Sequence, residues 1–399
     1  MKRFLFLLLM CGGFSAAAAT YYIDPVNGFD TNNGTTAVAG SVNGPFKTIA
    51  KFARTNATSG DIGYFAPGVY RQAVQLSSNW TGTARVQFIG DPQNTQGFKD
   101  GSGVLVPPAL CRWTGYTNTD SASSSAPYAL DLNGKDCVEL VNWYIIAPHG
   151  SAVRAIVGGT LATTNLTISN CVVLGQRSYA LDMIADAGLP MDLTIDNSVL
   201  IAFNDVSQPL SLAFTSGGSA DWDMKVVCRN SSFICNANAA IGTAKFGTTG
   251  FVGGGVNITN CFLSGYNVLT VNGHSSNAFP MVIRNSFIQA GRRGIVAQVP
   301  GQINEDFNQY SVGSGVWFDN VAVGANSHTN DFSPHLDFGA SHLMGFGPRP
   351  LWSPLSSSPG VGVGGNFTPA DIYRKARPAA NALGAFEIYT APEHSTVSQ

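Results

Sequence analysis

The chain has little charge, few cysteines and, beyond its first residues, no long apolar run. Charged residues make up 12% of its 399 residues, and 22 Lys and Arg against 24 Asp and Glu give a formal net charge of −2. A chain without excess positive charge has no general electrostatic attraction to nucleic acid, which argues against DNA or RNA as a partner. The hydrophobic share of 44% is too high for a disordered chain, and 45 glycines are too many for a helical bundle or a coiled coil.

The first nineteen residues predict an export signal. Lys2 and Arg3 precede an apolar run at 4–10, and small residues at 16–19 precede Thr20. We therefore expect a mature chain that begins near Thr20 and is secreted, either to the periplasm or outside the cell. No later segment reaches the ~20 uninterrupted apolar residues that a membrane span requires. Six cysteines follow the signal without a Cys-x-x-Cys pair, and we expect most of them inside the core.

One short element, an apolar segment with a central asparagine, recurs along the chain. Its members are centred on Asn142, Asn170, Asn197, Asn230, Asn260, Asn285 and Asn320. The intervals of 28, 27, 33, 30, 25 and 35 residues are too unequal for a strict helical repeat. The flanking residues are β-branched or aromatic and alternate with a period of two, which favours short strands.

A recurring asparagine has a physical explanation at a bend between two strands. Asparagine tolerates the left-handed backbone region, and its amide can bond to nearby backbone. If bends stack at the ~4.8 Å spacing of neighbouring strands, each amide can also bond to the next one. The position after the asparagine is small in five units, as a stacked interior column requires: Cys171, Ser198, Ser231, Cys261 and Ser286.

With these repeats the sequence resembles the right-handed parallel β-helix proteins of the pectate lyase-like superfamily, over essentially the whole mature chain. The block 21–71, with a short helix at 46–54, is similar to the cap of secreted β-helix carbohydrate enzymes, and 357–387 is similar to their closing segment. The resemblance implies an all-β fold, a single-stranded right-handed parallel β-helix of about eight to ten rungs with a short N-terminal capping helix. The expected organisation is a signal peptide at 1–19 and one domain at 20–399, divided into a cap and first turn (20–71), coil rungs (72–325) and a closing segment (326–399).

In that superfamily the asparagine bend joins the second and third strands of a rung, and the ligand groove lies beyond the third strand. Counting seven residues past the first six asparagines reaches a polar residue in five rungs and Ala237 in the sixth, and position eight adds further polar residues. The polar residues that would line the groove are His149, Arg177, Asn204, Asp205, Asn238, Asn267, Arg292 and Arg293. The strands that follow should align one outward column, composed of Arg154, Asp182, Ser211, Gly242, Thr270 and Ala297.

The resemblance and the polar column predict binding and cleavage of a polysaccharide, first of all β-elimination of an acidic glycan. That reaction needs a base for the proton beside the carboxylate and a cation to stabilise the enolate. The candidate catalytic residues are Arg177, Asp182, Arg154, Lys245 and His274. The candidate substrate-binding residues are His149, Asn204, Asp205, Asn267, Arg292, Arg293 and Trp222. The reaction uses either no cofactor or Ca²⁺, for which Asp182 and Asp186 are the candidate ligands.

Three alternatives stay open at this point. Glycoside hydrolysis would need two carboxyl groups roughly 5–10 Å apart, which Asp182 could form with Asp186 or Asp205. A second pair, Asp221 and Asp223, flanks Trp222. Arg154 and Asp182 could instead be a surface ion pair worth about 0–1 kcal/mol, and the protein a non-catalytic adhesive or structural β-helix. No polygalacturonase or lyase motif is present to decide among them, and the glycan and the oligomeric state stay open.

Overall fold

The computed structural model describes residues 18–56, 60–76, 84–115, 128–133, 135, 137–157, 164–186, 191–202, 208–215, 222–235, 239–245, 251–272, 281–297, 300, 303–312 and 318–327. Regular structure in these residues is almost entirely strand. The first half of the chain contains β1 (Thr20–Ile23), β2 (Ile62–Phe65), β3 (Gly68–Arg71), β4 (Val74–Gln75), β5 (Val86–Gly90), β6 (Cys111–Thr114), β7 (Tyr128–Asp131), β8 (Val138–Val141), β9 (Tyr144–Ala147), β10 (Ser151–Val157), β11 (Thr164–Ser169), β12 (Val172–Gly175), β13 (Leu181–Asp186) and β14 (Met191–Asp196).

The second half continues the same pattern as far as residue 319. Its strands are β15 (Val199–Ala202), β16 (Leu210–Thr215), β17 (Trp222–Arg229), β18 (Ser232–Cys235), β19 (Ala239–Lys245), β20 (Phe251–Thr259), β21 (Phe262–Asn272), β22 (Met281–Arg284), β23 (Phe287–Val296), β24 (Ile303–Asp306), β25 (Gln309–Val312) and β26 (Phe318–Asp319). One short helix, α1 (Ile49–Lys51), leads into a π-helical turn at Phe52–Asn56 near the start of the chain.

The strands form three parallel sheets, which the chain visits in turn. Sheet 1 has the order β1-β2-β5-β8-β11-β14-β17-β20-β22-β24. Sheet 2 contains β3-β6-β9-β12-β15-β18 and sheet 3 contains β4-β7-β10-β13-β16-β19, and the long strands β21 and β23 pass through both. β25 ends sheet 2 and β26 ends sheet 3. A chain that returns to the same parallel sheet once per rung is a parallel β-helix, so the predicted fold class is confirmed.

The asparagine bends join sheet 1 to sheet 2, as predicted. Asn142, Asn170, Asn197, Asn230, Asn260 and Asn285 have φ between +47° and +61°. The amide of Asn170 donates to that of Asn142 at 3.2 Å, and Asn260 donates to Asn230 at 3.5 Å. Asn285 in turn donates to Asn260. The bends are therefore both a backbone requirement and a ladder of side-chain hydrogen bonds along the coil.

A second ladder runs directly behind the asparagines. The backbone N–H groups of Cys171 and Ser198 each donate, at 3.1 Å, to the hydroxyl of the serine one rung further on, Ser198 and Ser231 respectively. The N–H of Cys261 donates to Ser286 in the same way, also at 3.1 Å. All of these residues are buried. The predicted column of small residues is confirmed, and its hydroxyls satisfy backbone donors that the bend would otherwise leave unpaired.

The seventh asparagine is a correction to the sequence prediction. Asn320 has φ +57°, but it follows β26 in sheet 3 and does not join the ladder. The seventh bend between sheets 1 and 2 is made by Phe307, with φ +56°. The reason is local: Asn308, the next residue, takes the interior position, and its Oδ1 accepts from the N–H of Ser286 at 2.8 Å.

Both ends of the described coil are closed by particular residues. At the start, the predicted helix at 46–54 is shorter than expected and begins at Ile49, with Thr48 accepting from the N–H of Lys51 at 3.0 Å. Phe52 packs edge-on against Phe88, with ring centroids 5.1 Å apart, and so covers the first rungs. At the other end, Glu305 occupies an interior position and accepts from Asn308, Tyr310 and Ser327 at 2.9, 2.9 and 2.7 Å.

The core is a continuous apolar column inside the three sheets. Its members include residues such as Leu140, Ile168, Ile195, Cys228 and Ile258, which occupy equivalent positions in successive strands of sheet 1. Five of the six cysteines are buried, and all six are free, which fits the expectation that most lie in the core. Within the described residues, no helix has the length and apolar character to cross a membrane.

Replacing Asn260 by alanine should reduce the free energy of unfolding by about 2–3 kcal/mol, because the left-handed backbone becomes strained and two ladder bonds are lost. Asn260→Gly relieves the backbone strain and should cost less than the alanine variant. Chemical denaturation of both variants measures the two contributions. The control Asn257→Ala, on the exposed face of β20, should change stability by less than about 0.5 kcal/mol. Equal losses in Asn260→Ala and Asn257→Ala would contradict the ladder's role.

Candidate functional site

Sheet 3 carries one row of residues in register, here called the central row, and most of its members are polar. It consists of Gln75, Asp131, Arg154, Asp182, Ser211, Gly242, Thr270, Val296 and Asp319. The predicted column from Arg154 to Thr270 is confirmed. Its last member is Val296 and not Ala297, because this rung reaches the row 11 residues after its asparagine, whereas Arg154 and Asp182 stand 12 residues after theirs.

Three charges meet in consecutive rungs of the central row. The guanidinium of Arg154 lies 3.5 Å from the carboxylate of Asp131 on one side, and its charge also acts on Asp182 on the other. The Asp131 side chain is 2% exposed, while that of Arg154 is 33% exposed. The guanidinium also lies over the ring of Tyr128, 5.6 Å from its centroid. Arg154 is thus held from two directions and still reaches solvent.

Asp131 is occupied by structural partners as well. Its Oδ2 accepts from Gln75 at 3.3 Å, and its Oδ1 accepts from the backbone N–H of Asn133 at 2.8 Å. A carboxylate with this many partners is fixed in orientation. We therefore interpret Asp131 as the residue that positions Arg154.

Asp182 is the group in this row whose protonation is most altered by the fold. Burial raises the pKa of Asp182 from its ordinary 3.8 to about 6, although a hydrogen bond from Ser211 and the charge of Arg154 both favour the ionised form. The pKa of nearby Tyr179 is also raised, first by burial and then by the charge of Asp182. A carboxyl group that titrates near pH 6 can exchange a proton under mild conditions, which suits acid–base chemistry.

The sequence prediction missed Asp131, although a signal for it exists. Tyr128-Ala129-Leu130-Asp131 and Tyr179-Ala180-Leu181-Asp182 are the same four residue types, and Ser151-Ala152-Val153-Arg154 lies between them in the sheet. The count from the asparagines starts at Asn142, and Asp131 lies before that residue, in the preceding rung. The count therefore cannot reach Asp131. Comparing strand sequences within sheet 3 finds all three charges.

The other candidate residues are distributed over three locations. His149 and Arg177 lie at the corner between sheets 2 and 3, in the rungs that contain Arg154 and Asp182, and Arg177 is exposed. Lys245 pairs with Phe214 in sheet 3, and Asp186 ends β13, four residues after Asp182. Trp222 begins β17 and therefore belongs to sheet 1, so the fold does not bring it to the central row. Asn204, Asp205 and His274 lie outside the described residues.

A metal centre would need several hard oxygen ligands close together. In the part of the chain that the structure describes, no group of three His, Cys, Asp or Glu side chains comes together in a way that could hold a metal ion. Asp182 has Ser211 and Arg154 as neighbours, and the side chain of Asp186 is not among those described. Calcium binding by Asp182 and Asp186 stays a prediction.

A second polar corner lies further along the coil, where β21 and β23 turn from sheet 2 into sheet 3. The register shift leaves Tyr266 opposite two residues, Gly291 and Arg292, and aligns Asn267 with Arg293. Tyr266 is 42% exposed, and the guanidinium of Arg292 lies 6.0 Å from its ring centroid. The predicted binding residues Asn267, Arg292 and Arg293 are therefore together at one corner.

The strand pairing defines a parallel β-helix protein. Its sheet 3 carries the charged cluster of the central row and, further along the coil, the polar corner at Tyr266, Arg292 and Arg293. No family model and no curated protein matches the chain. Among solved structures, pectate lyase Pel9A is 15% identical with a TM-score of 0.49, over 92% of this chain and 96% of that one. The pectin methylesterase from Aspergillus niger is 16% identical with a TM-score of 0.34, over 75% and 88%.

A rhamnogalacturonan lyase is 13% identical with a TM-score of 0.27, over 85% of this chain and 95% of that one. At such identities the similarity concerns the fold alone. The parallel β-helix of this chain therefore rests on the strand pairing described above, and none of these structures decides its function.

The raised pKa of Asp182 predicts a pH-dependent stability. The pKa of Asp182 is higher in the folded protein than in the unfolded chain. The contribution of this side chain to the free energy of unfolding is therefore complete below about pH 4 and is lost as the pH rises through about 6. Asp182→Asn cannot ionise, so relative to the wild type its free energy of unfolding should rise between pH 4 and pH 8, by an amount on the order of 2 kcal/mol. Denaturation curves at both pH values measure this change. Asp192→Asn makes the same chemical change on sheet 1 and is the control for the substitution itself. A difference between Asp182→Asn and the wild type that stays constant with pH would show that the raised pKa is wrong.

Proposed function

We propose that this chain is an exported enzyme that binds an acidic polysaccharide along the outer face of sheet 3 and cleaves it by β-elimination. The observation that carries the proposal is the adjacency, in consecutive rungs, of a partly exposed guanidinium, Arg154, and a carboxyl group with a pKa of about 6, Asp182. The row extends over nine rungs in register, which suits a ligand that is itself a chain.

Each residue has a definite role in this reaction. Arg154 donates hydrogen bonds to the carboxylate of the uronate and stabilises the additional negative charge as the enolate forms. Asp182, ionised above pH 6, takes the proton from the carbon beside that carboxylate. The bond to the glycosidic oxygen then breaks, a carbon–carbon double bond remains in the new chain end, and the proton on Asp182 is available to the leaving oxygen. Asp131 keeps Arg154 in place.

The geometry supports hydrolysis less well. A glycoside hydrolase needs two carboxyl groups that both reach the scissile bond or its attacking water. The carboxylate of Asp131 is two rungs from Asp182, but its side chain is 2% exposed and is held by Gln75 and Arg154. β-Elimination requires one base and one cation, and both are present in adjacent strands.

Cleavage of polygalacturonate or alginate by the purified full-length protein should generate an unsaturated product that absorbs in the ultraviolet. Asp182→Asn and Arg154→Gln should each lower kcat at least about 100-fold, since each removes a group that acts in the transition state. The control Asp192→Asn makes the same chemical change on sheet 1 and should stay within about twofold of the wild type. New reducing ends without ultraviolet absorbance would indicate hydrolysis, and polymer binding without cleavage would indicate an adhesive protein.

The pH dependence of the same reaction tests the assignment of the base. Asp182 accepts a proton only when it is ionised, so kcat/KM should rise with pH through about 6 and then level off. Initial rates from pH 4 to pH 8, with enzyme stability checked at each pH, measure this curve. A rate that falls over the same range would assign Asp182 the role of a proton donor and would contradict the mechanism above.

A further inference from the structure

We infer that Tyr266, Arg292 and Arg293 form a second binding position for an acidic sugar, separate from the Asp182 centre. This inference rests on the proposed function, because it assumes that the ligand is an anionic chain lying along sheet 3. It adds that the polymer is held at a defined distance from the reacting bond by charge and by an aromatic face.

The first observation concerns the acidic partners of the two arginines among the described residues. Arg85, Arg154 and Arg229 each lie within 4.0 Å of a carboxylate. In the same part of the chain, Arg292 and Arg293 form no such ion pair. Two consecutive arginines that no described carboxylate neutralises stand out on a chain whose overall charge is balanced, and their guanidinium groups can bind a carboxylate bidentately.

The second observation is the backbone irregularity that exposes these side chains. Between Gly265 and Asn267 the register of β21 against β23 shifts, so that Tyr266 faces two residues of the next rung. A side chain at Gly291 would place its Cβ 3.3 Å from the Tyr266 ring, so glycine lets the ring lie against the next rung. Irregularities of this kind commonly redirect side chains beside binding sites.

The third observation is alignment with the reaction centre. Asn267 and Arg293 each stand three residues before a member of the central row, Thr270 and Val296, just as Tyr179 stands three residues before Asp182. Val268 and Leu269 both point into the core, which leaves Asn267 on the outside of the corner. Four rungs separate Asp182 from Arg293, roughly 19 Å at the usual spacing of neighbouring strands.

These features indicate a particular ligand chemistry. The exposed ring of Tyr266, oriented by Arg292, offers an apolar face for a sugar ring, and the guanidinium groups match a carboxylate. The predicted ligand is therefore a uronate polymer long enough to reach from the Asp182 centre to this corner. A short fragment bound at Asp182 would not reach it.

The test compares Arg292→Gln with Arg85→Gln, which removes the same charge near sheet 1. Mobility of the full-length protein in gels containing polygalacturonate or alginate measures binding, and cleavage of the polymer is compared with cleavage of its trimer. Arg292→Gln should weaken polymer binding and raise KM for the polymer about five- to tenfold, with kcat and trimer cleavage unchanged. Arg85→Gln should behave like the wild type.

Each other outcome has a definite meaning. Equal weakening in both variants would overturn the inference in favour of net charge, as would a wild type that neither polymer retards. If Arg292→Gln lowers cleavage of the trimer as much as cleavage of the polymer, Arg292 belongs to the reaction centre and the separate binding position is overturned. If no polymer is cleaved but retardation still depends on Arg292, the binding position stands and the proposed β-elimination fails. If the polymer is cleaved and neither its binding nor its KM depends on Arg292, the proposed β-elimination stands and the separate binding position fails.

Discussion

The structure depends on a bend in the left-handed backbone region that joins sheets 1 and 2 in seven successive rungs, from Asn142 to Phe307. Asparagine makes six of these bends, and amide–amide hydrogen bonds join Asn142 to Asn170 and connect Asn230, Asn260 and Asn285 in series. Since side chains alternate between the two faces of a strand, a slip of one residue in any rung would turn its outward residues into the core. The bend prevents that slip. The turns at the other two corners differ in length from rung to rung, yet the strands that follow them stay in register.

That register is what creates the charged cluster on sheet 3. Asp131, Arg154 and Asp182 are 23 and 28 residues apart in sequence and become neighbours because each stands at the same position in its strand. Not every side chain of this charged cluster stabilises the folded protein. Asp182 is buried enough to resist ionisation, so at neutral pH it lowers the stability of the coil. A stability cost confined to one side chain, beside a guanidinium that another carboxylate holds in place, is typical of functional sites.

The sequence predicts much of this and misses the rest for identifiable reasons. The recurring asparagines predict short stacked strands, because a left-handed bend followed by a small buried residue is a strong local requirement, and the resemblance adds the parallel β-helix. Counting from the bend also aligns Arg154 with Asp182. It fails at Asp131, which precedes the first asparagine, and at Ala297, because the chain reaches the central row one residue earlier in that rung, at Val296. Asn320 shows the converse problem: the residue type and its φ are as expected, but the bend belongs to another corner.

The three outer faces differ in chemistry, and the difference supports sheet 3 as the functional face. Sheet 1 carries ion pairs across rungs, such as Asp196 with Arg229 at 3.2 Å, on a solvated surface. The outer side of sheet 2 is apolar in its middle rungs, where Ile146, Leu174 and Ile201 form a buried cluster of their own. Sheet 3 alone combines a carboxyl group with a raised pKa, a guanidinium fixed by a buried partner and, at its far corner, cations without acids among the described residues. Paired charges and buried aliphatic groups are already satisfied within the fold, whereas the guanidinium groups on sheet 3 would gain from an anionic ligand.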